Sequence, residues 1–118
     1  MTDAKHYTGG CHCGRVRYEV TADLGQTTQC NCSICTARGL IVAFVPAAQF
    51  KLVSGDGLTD YQFNKKHIHH LFCPVCGIES FAKGKSKKGE EMVAINARCL
   101  DGVEVEALKP APFDGRKL

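Results

Sequence analysis

The stretch "GGCHCGRVRYEV", Gly9 to Val20, carries two signals side by side. Its first half sets Cys11 and Cys13 one residue apart among glycines. Its second half alternates Arg15, Arg17 and Glu19 with Val16, Tyr18 and Val20, the period of a strand with one wet face and one buried face. A cysteine pair running straight into an amphipathic strand predicts a β-sheet that a metal would clamp.

Further strands are written along the chain. "LIVAFV" (40–45), "FKLVSG" (50–55), "LTDYQF" (58–63), "HIHHLF" (67–72) and "MVAIN" (92–96) are short runs rich in β-branched and aromatic residues, separated by Gly, Asp and Pro. The expected fold is all-β with very little helix, the one helical candidate being a short turn over Ser33 to Arg38. "SGDG" at 54–57 reads as a hairpin turn, and "KGKSKKGEE" at 83–91 as a solvated loop. The tail "LKPAPFDGRKL" at 108–118 reads as extended, with Phe113 docking on the body.

The 118 residues, 44% hydrophobic and 23% charged, fit one domain over 1–118 with one core. The polar N-terminus and the lack of any apolar run near the roughly 18 residues of a membrane span lead us to expect a soluble, cytoplasmic chain with no membrane partner. Eight cysteines in such a chain imply bound metal rather than a disulfide framework, because C-x-C spacings are too close to pair without strain. Metal also removes the apparent basicity. Seven thiolates and two Zn²⁺ contribute −7 and +4, which cancels the formal +3 and removes the charge argument for a nucleic-acid partner.

Seven of the eight cysteines sit in chelating spacings: Cys11 and Cys13; Cys30, Cys32 and Cys35 in "QCNCSICTARG"; Cys73 and Cys76 in "FCPVCG". The last is a zinc knuckle by its form, a C-x-x-C whose backbone N–H groups point at the sulfurs and whose Gly77 takes the positive φ the turn needs. A closed tetrahedral zinc needs four ligands, and Cys11 and Cys13, facing one way from an extended segment, complete the knuckle. Cys30, Cys32 and Cys35 then have two readings on residues alone. Either Cys99 closes a second four-cysteine site, or the fourth position stays open for a ligand.

Other chemistry-bearing residues have weaker claims. His67, His69 and His70 precede the knuckle, but on a strand His67 and His69 share one face and His70 takes the other, so at most one or two can point at a site. His12 should point away from its neighbours' metal. Arg15, Arg17, Arg38, Lys65 and Lys66 are candidates for carboxylate pairing, with Arg38 favoured because it follows Cys35 by three residues.

Taken in order, "GGCHCGRVRYEV", "CNCSICTARG", "FCPVCGIESF" and "NARCLDGVEVEALKPAPFDG" resemble the glutathione-dependent formaldehyde-activating enzyme family, also called the CENP-V/GFA domain. The resemblance runs from about Gly9 to Gly115. It implies an Mss4-like fold of antiparallel sheets tented around zinc, with two Zn²⁺ per chain. It assigns Cys11, Cys13, Cys73 and Cys76 to a structural zinc and Cys30, Cys32 and Cys35 to a catalytic one, and has no ligand at Cys99. The implied activity is that of a carbon–sulfur lyase, joining a thiol such as glutathione to a small aldehyde such as formaldehyde, or cleaving the adduct. The alternative is a non-catalytic zinc-stabilised binding module with both metals closed by eight cysteines.

Overall fold

The computed structural model describes residues 4–55, 57–62, 68–86 and 88–114. Among the described residues ten strands follow one another: β1 Lys5–Gly10, β2 Arg17–Ala22, β3 Thr28–Cys30, β4 Val42–Pro46, β5 Phe50–Ser54, β6 Thr59–Tyr61, β7 His69–Phe72, β8 Phe81–Lys85, β9 Glu91–Asn96 and β10 Ala111–Phe113. The α-helix α1, Ser33–Arg38, occupies the predicted helical turn, and 3₁₀ turns lie at Ala47–Gln49, Ala97–Cys99 and Val105–Ala107. The all-β expectation holds.

The strands form two sheets, one of order β1-β2-β5 and one of order β10-β3-β4-β9-β8-β7-β6. Every pairing is antiparallel except β10 with β3. The period read in "RVRYEV" is what fills the space between the sheets: Val16, Tyr18, Val20 and Ala22 are buried and join Ala43 and Val45 of β4, Phe81 of β8, and Val93 and Ile95 of β9. The rings of Tyr18, Phe50 and Phe81 meet at centroid distances of 5.2, 5.7 and 4.8 Å. Burying Tyr18 leaves a hydroxyl to satisfy, and it donates to the Ser80 carbonyl at 3.1 Å.

Gly10 shows how tightly the two ends of the "GGCHCG" turn approach one another. A Cβ there would lie 1.9 Å from the Val16 carbonyl oxygen, so no side chain fits at this position. Its neighbour Gly9 bridges to Leu100, bringing the segment after β9 against the start of the metal-binding turn.

Several expectations change. "SGDG" does not close a hairpin, because β5 and β6 belong to different sheets; the segment carries the chain from one to the other, and Asp56 lies outside the described residues. The solvated loop is narrower than its charge suggested, since Lys83–Lys85 complete β8 and only the tip around Ser86–Glu90 is a turn. The tail does dock, but through its backbone: Ala111–Phe113 pairs in parallel with Thr28–Cys30, while the Phe113 ring stays 48% exposed. Cys11–Cys13 is a turn rather than an extended segment, closed by the Cys11 N–H on the Val16 carbonyl at 3.1 Å.

Candidate metal centres

Each cysteine cluster is delivered by a chain end of the sheets. Cys11 and Cys13 follow β1, and Cys73 and Cys76 follow β7, so strands from the two different sheets end at one point. The four sulfurs lie within 4.8 Å of one another, with Cys11 to Cys13 and Cys13 to Cys73 both at 3.6 Å. Tetrahedral zinc with bonds of about 2.3 Å requires sulfurs about 3.8 Å apart, so the donor set and its spacing fit a zinc ion.

Backbone donors complete this centre. The Val16 N–H donates to the Cys11 sulfur at 3.3 Å, and the Val75 and Cys76 N–H groups to the Cys73 sulfur at 3.4 and 3.5 Å. The knuckle turn needs Gly77 at φ 79°, as its sequence predicted. Such donors favour thiolates. Burial opposes ionisation of Cys76, yet the N–H groups of Ile78 and Cys13 and the thiols of Cys11 and Cys73 bring it down to about 6.

The second cluster is built from the end of β3 and from α1. Cys30 ends the strand, Cys32 caps the helix and Cys35 lies on its first turn, and their sulfurs also fall within 4.8 Å of one another. The Cys32 N–H donates to the Cys30 sulfur at 3.4 Å. Burial acts against ionisation of Cys32, but the N–H groups of Cys35 and Ile34 and the neighbouring thiols outweigh it and hold the thiol below its ordinary value. Cys35 goes the other way: burial pushes its thiol up, and the charge of Cys32 and Cys30 adds to this.

Cys99 stands apart from both groups. Its sulfur faces the Glu79 carbonyl at 4.0 Å, and burial, with Cys11, Cys76 and Glu79 adding, pushes its thiol up to about 11. The charges that oppose its ionisation include the four-cysteine centre and none of Cys30, Cys32 and Cys35. Among the described residues the triad therefore offers three protein sulfurs and no fourth.

The remaining candidates disperse. His12 is exposed, as expected. His69 bonds Asp60 at 2.7 Å on the outer surface, Arg17 pairs with Asp101, and Arg15 is exposed; His67, Lys65 and Lys66 lie outside the described residues. His70 is buried and its Nδ1 lies 2.9 Å from Oε2 of Glu79. The other oxygen of that carboxylate pairs with Arg38, whose guanidinium also sits 5.1 Å from the centroid of the Phe72 ring. The carboxylate that Arg38 meets is thus one of the chain's own.

Glu79 escaped the reading of the sequence. It is only 4% exposed although it carries a charge, and it sits three residues after Cys76 and pairs with a residue three after Cys35. The available signal was a lone acid in "CGIESF", between Ile78 and Ser80 and two residues before the strand that begins at Phe81. Its pairing ties the segment after Cys76 to the helix that carries Cys35.

The glutathione-dependent formaldehyde-activating enzyme model matches residues 6–112, which include all eight cysteines. The chain belongs to that family. A crystal structure of a Rhodobacter sphaeroides protein is similar at 33% identity and a TM-score of 0.78, covering 89% of this chain and 97% of that one. The two cysteine groups that could hold zinc lie within the part of this chain matched by the GFA model. No helix of the described residues is long and apolar enough to cross a membrane.

Proposed function

We propose that the chain is a zinc-dependent carbon–sulfur lyase of the S-(hydroxymethyl)glutathione synthase type, joining a glutathione-like thiol to formaldehyde or a similar small aldehyde and catalysing the reverse cleavage. The observation that supports this reading is the contrast in ligand number: four sulfurs gather at the first centre and three at the second, with Cys99 turned elsewhere. Cys11, Cys13, Cys73 and Cys76 would hold a structural zinc. Cys30, Cys32 and Cys35 would hold the zinc that supplies an open position to a sulfur ligand and favours its thiolate near neutral pH.

The chain's own residues set the limits of that chemistry. Three thiolates neutralise more than the charge of one Zn²⁺, so this donor set suits a soft sulfur nucleophile better than activation of water. Their N–H donors and the start of α1 hold the sulfurs in place. In the forward reaction the substrate thiol gives up its proton to solvent, its sulfur forms a bond to the carbonyl carbon, the C=O π pair moves to oxygen, and that oxygen takes a proton back from solvent, so that no net proton is consumed. His70 is held 2.9 Å from Glu79 inside the protein, which suits it to orienting that carboxylate rather than to meeting substrate.

The test is exchange NMR of ¹³C-formaldehyde with glutathione. The zinc-loaded protein should speed interconversion with the hemithioacetal above the spontaneous rate, and Cys35→Ser should return it to that rate. Interconversion at the spontaneous rate with glutathione and with other small thiols would overturn the reading.

A further inference from the structure

A single buried amide ties the backbones of Glu79 and Arg98 together. Asn96, 7% exposed, ends β9 and donates from Nδ2 to the Glu79 carbonyl at 3.0 Å, while its Oδ1 accepts the Arg98 N–H at 3.1 Å. Glu79 in turn fixes Arg38, and Arg98 donates from Nε to the Gly39 carbonyl at 2.9 Å. The guanidinium of Arg38, the last residue of the helix that carries Cys35, and that of Arg98, from a distant part of the sequence, are thereby fastened to Glu79 and to the Gly39 carbonyl respectively. Arg38 and Cys35 are three apart on that helix, a spacing that puts them on one face about 5–6 Å apart at Cβ.

The two arginines are used unequally. Arg38 spends one Nη on Glu79 and lays its plane near Phe72, which fixes its orientation and neutralises its charge. Arg98 is exposed, and its Nη groups meet no carboxylate among the described residues. With Nε engaged, the pair of terminal N–H₂ groups forms an end-on fork of the kind that binds a carboxylate. Arg98 thus brings, to the glycine that ends the Cys35 helix, a positive charge that meets no carboxylate among the described residues and would there offset the repulsion of an anion by a cluster of thiolates.

From this arrangement we infer that Arg98, with Arg38 beside it, is the recognition element for a carboxylate borne by the thiol that reaches the Cys30, Cys32 and Cys35 centre. The ligand class is a mercapto-carboxylate, of which a peptide thiol is one member. The inference rests on the open-site reading above and adds what the site selects. Arg98 touches the ligand; Glu79 and Asn96 are positioning residues.

The test uses the full chain with cobalt(II) loaded into the three-cysteine centre, read by its thiolate charge-transfer and d–d absorption. 3-Mercaptopropionate and the neutral 3-mercaptopropanamide are titrated in parallel. The acid should bind about tenfold more tightly, the scale of one charge-assisted pair. Arg98→Gln should abolish that preference while leaving the amide's affinity unchanged, and Arg98→Lys should restore only part of it. Arg38→Lys should lower the preference without removing it. Equal binding of the two thiols by the wild type, or equal losses for both in Arg98→Gln, would overturn the inference while leaving the open site standing. If neither thiol perturbs the spectrum, the open-site reading fails and takes this inference with it.

Discussion

The two cysteine centres use one ligand type for two different mechanical purposes. At the first, sulfurs from the ends of β1 and β7 converge, so a metal there would join the three-stranded sheet to the seven-stranded one, and Cys73 is fully buried. At the second, all three sulfurs come from Cys30 to Cys35, a local loop and a single helix in which no residue is fully buried. Closing a loop of some sixty residues constrains the unfolded chain far more than closing one of six. On the proposed function, sequence separation of the ligands adds to their number in distinguishing a fold-forming site from one free to exchange ligands.

The largest effect expected follows directly. Cys73→Ser should abolish folding, because metal binding at a site that does not pre-exist in the unfolded chain is itself folding free energy, about 10 kcal/mol or more. Cys35→Ser should keep the native dispersion of amide signals in an NMR spectrum and reduce bound zinc from two per chain to one. A graded chelator titration makes the same comparison without mutation: one zinc should leave with the fold intact, and loss of the second should coincide with unfolding. If both substitutions unfold the chain alike, the division of labour between the centres is wrong.

Close approach at the first centre gives the next effect. Gly10→Ala forces a methyl group to within 1.9 Å of a backbone oxygen, which neither segment of the "GGCHCG" turn can relieve without moving a sulfur. A loss of about 3 kcal/mol or more is expected in urea unfolding of the zinc-loaded protein. Gly77→Ala, strained only by its positive φ with open space around it, should cost about 1–2 kcal/mol.

Between the centres lies the ion pair of Glu79 with Arg38. Removing one partner of a buried pair leaves the rest uncompensated, and Glu79→Ala should cost about 3 kcal/mol, with Arg38 partly exposed and so able to recover some hydration. Glu79→Gln keeps the shape and one hydrogen bond and should cost about half as much. The sharper readout is zinc competition. Because Glu79 reaches α1 through Arg38, its loss should weaken metal binding at the three-cysteine centre while leaving that of the four-cysteine centre within twofold.

The same contrast between local and distant pairing explains what the sequence could reveal. The buried period of Val16, Tyr18 and Val20 was legible because it is local, and so were the chelating spacings C-x-C and C-x-x-C, whose cysteines the structure gathers into two groups that could hold zinc. Helix α1 was legible as a short helical turn over Ser33–Arg38, and the structure ends it on Gly39 in the left-handed region. What escaped were contacts made across long separations without a repeating signature. Glu79 finds Arg38 41 residues away, and Arg98 finds Gly39 at 59. The "SGDG" turn misled for the same reason, since Gly and Asp announce a change of direction but not which sheet receives the next strand. Parallel docking of β10 on β3 likewise depends on a backbone pairing that an exposed Phe113 does not advertise.

The smallest effect comes from the exposed counterpart of the buried pair. Asp101 receives Arg17 and the Thr8 hydroxyl, at 2.7 Å for the latter, and its own N–H donates to the Thr8 carbonyl at 2.8 Å, so it clips the turn after Cys99 to β1 and β2. Both side chains of the ion pair are substantially solvated, which limits its worth to about 0.5–1 kcal/mol. The Arg17 side chain, then Thr8, holds the Asp101 carboxyl below its ordinary value. A carboxylate with a depressed folded-state pKa stabilises the protein above the unfolded value near 3.9, and that contribution is lost as pH falls through the folded value. Asp101→Asn should therefore be less stable than wild type at pH 7 by no more than about 1 kcal/mol, with the gap closing in high salt and below about pH 3. A gap as large as that of Glu79→Ala, or one indifferent to salt, would show that the clip is as integral to the first centre as the buried pair is to the second.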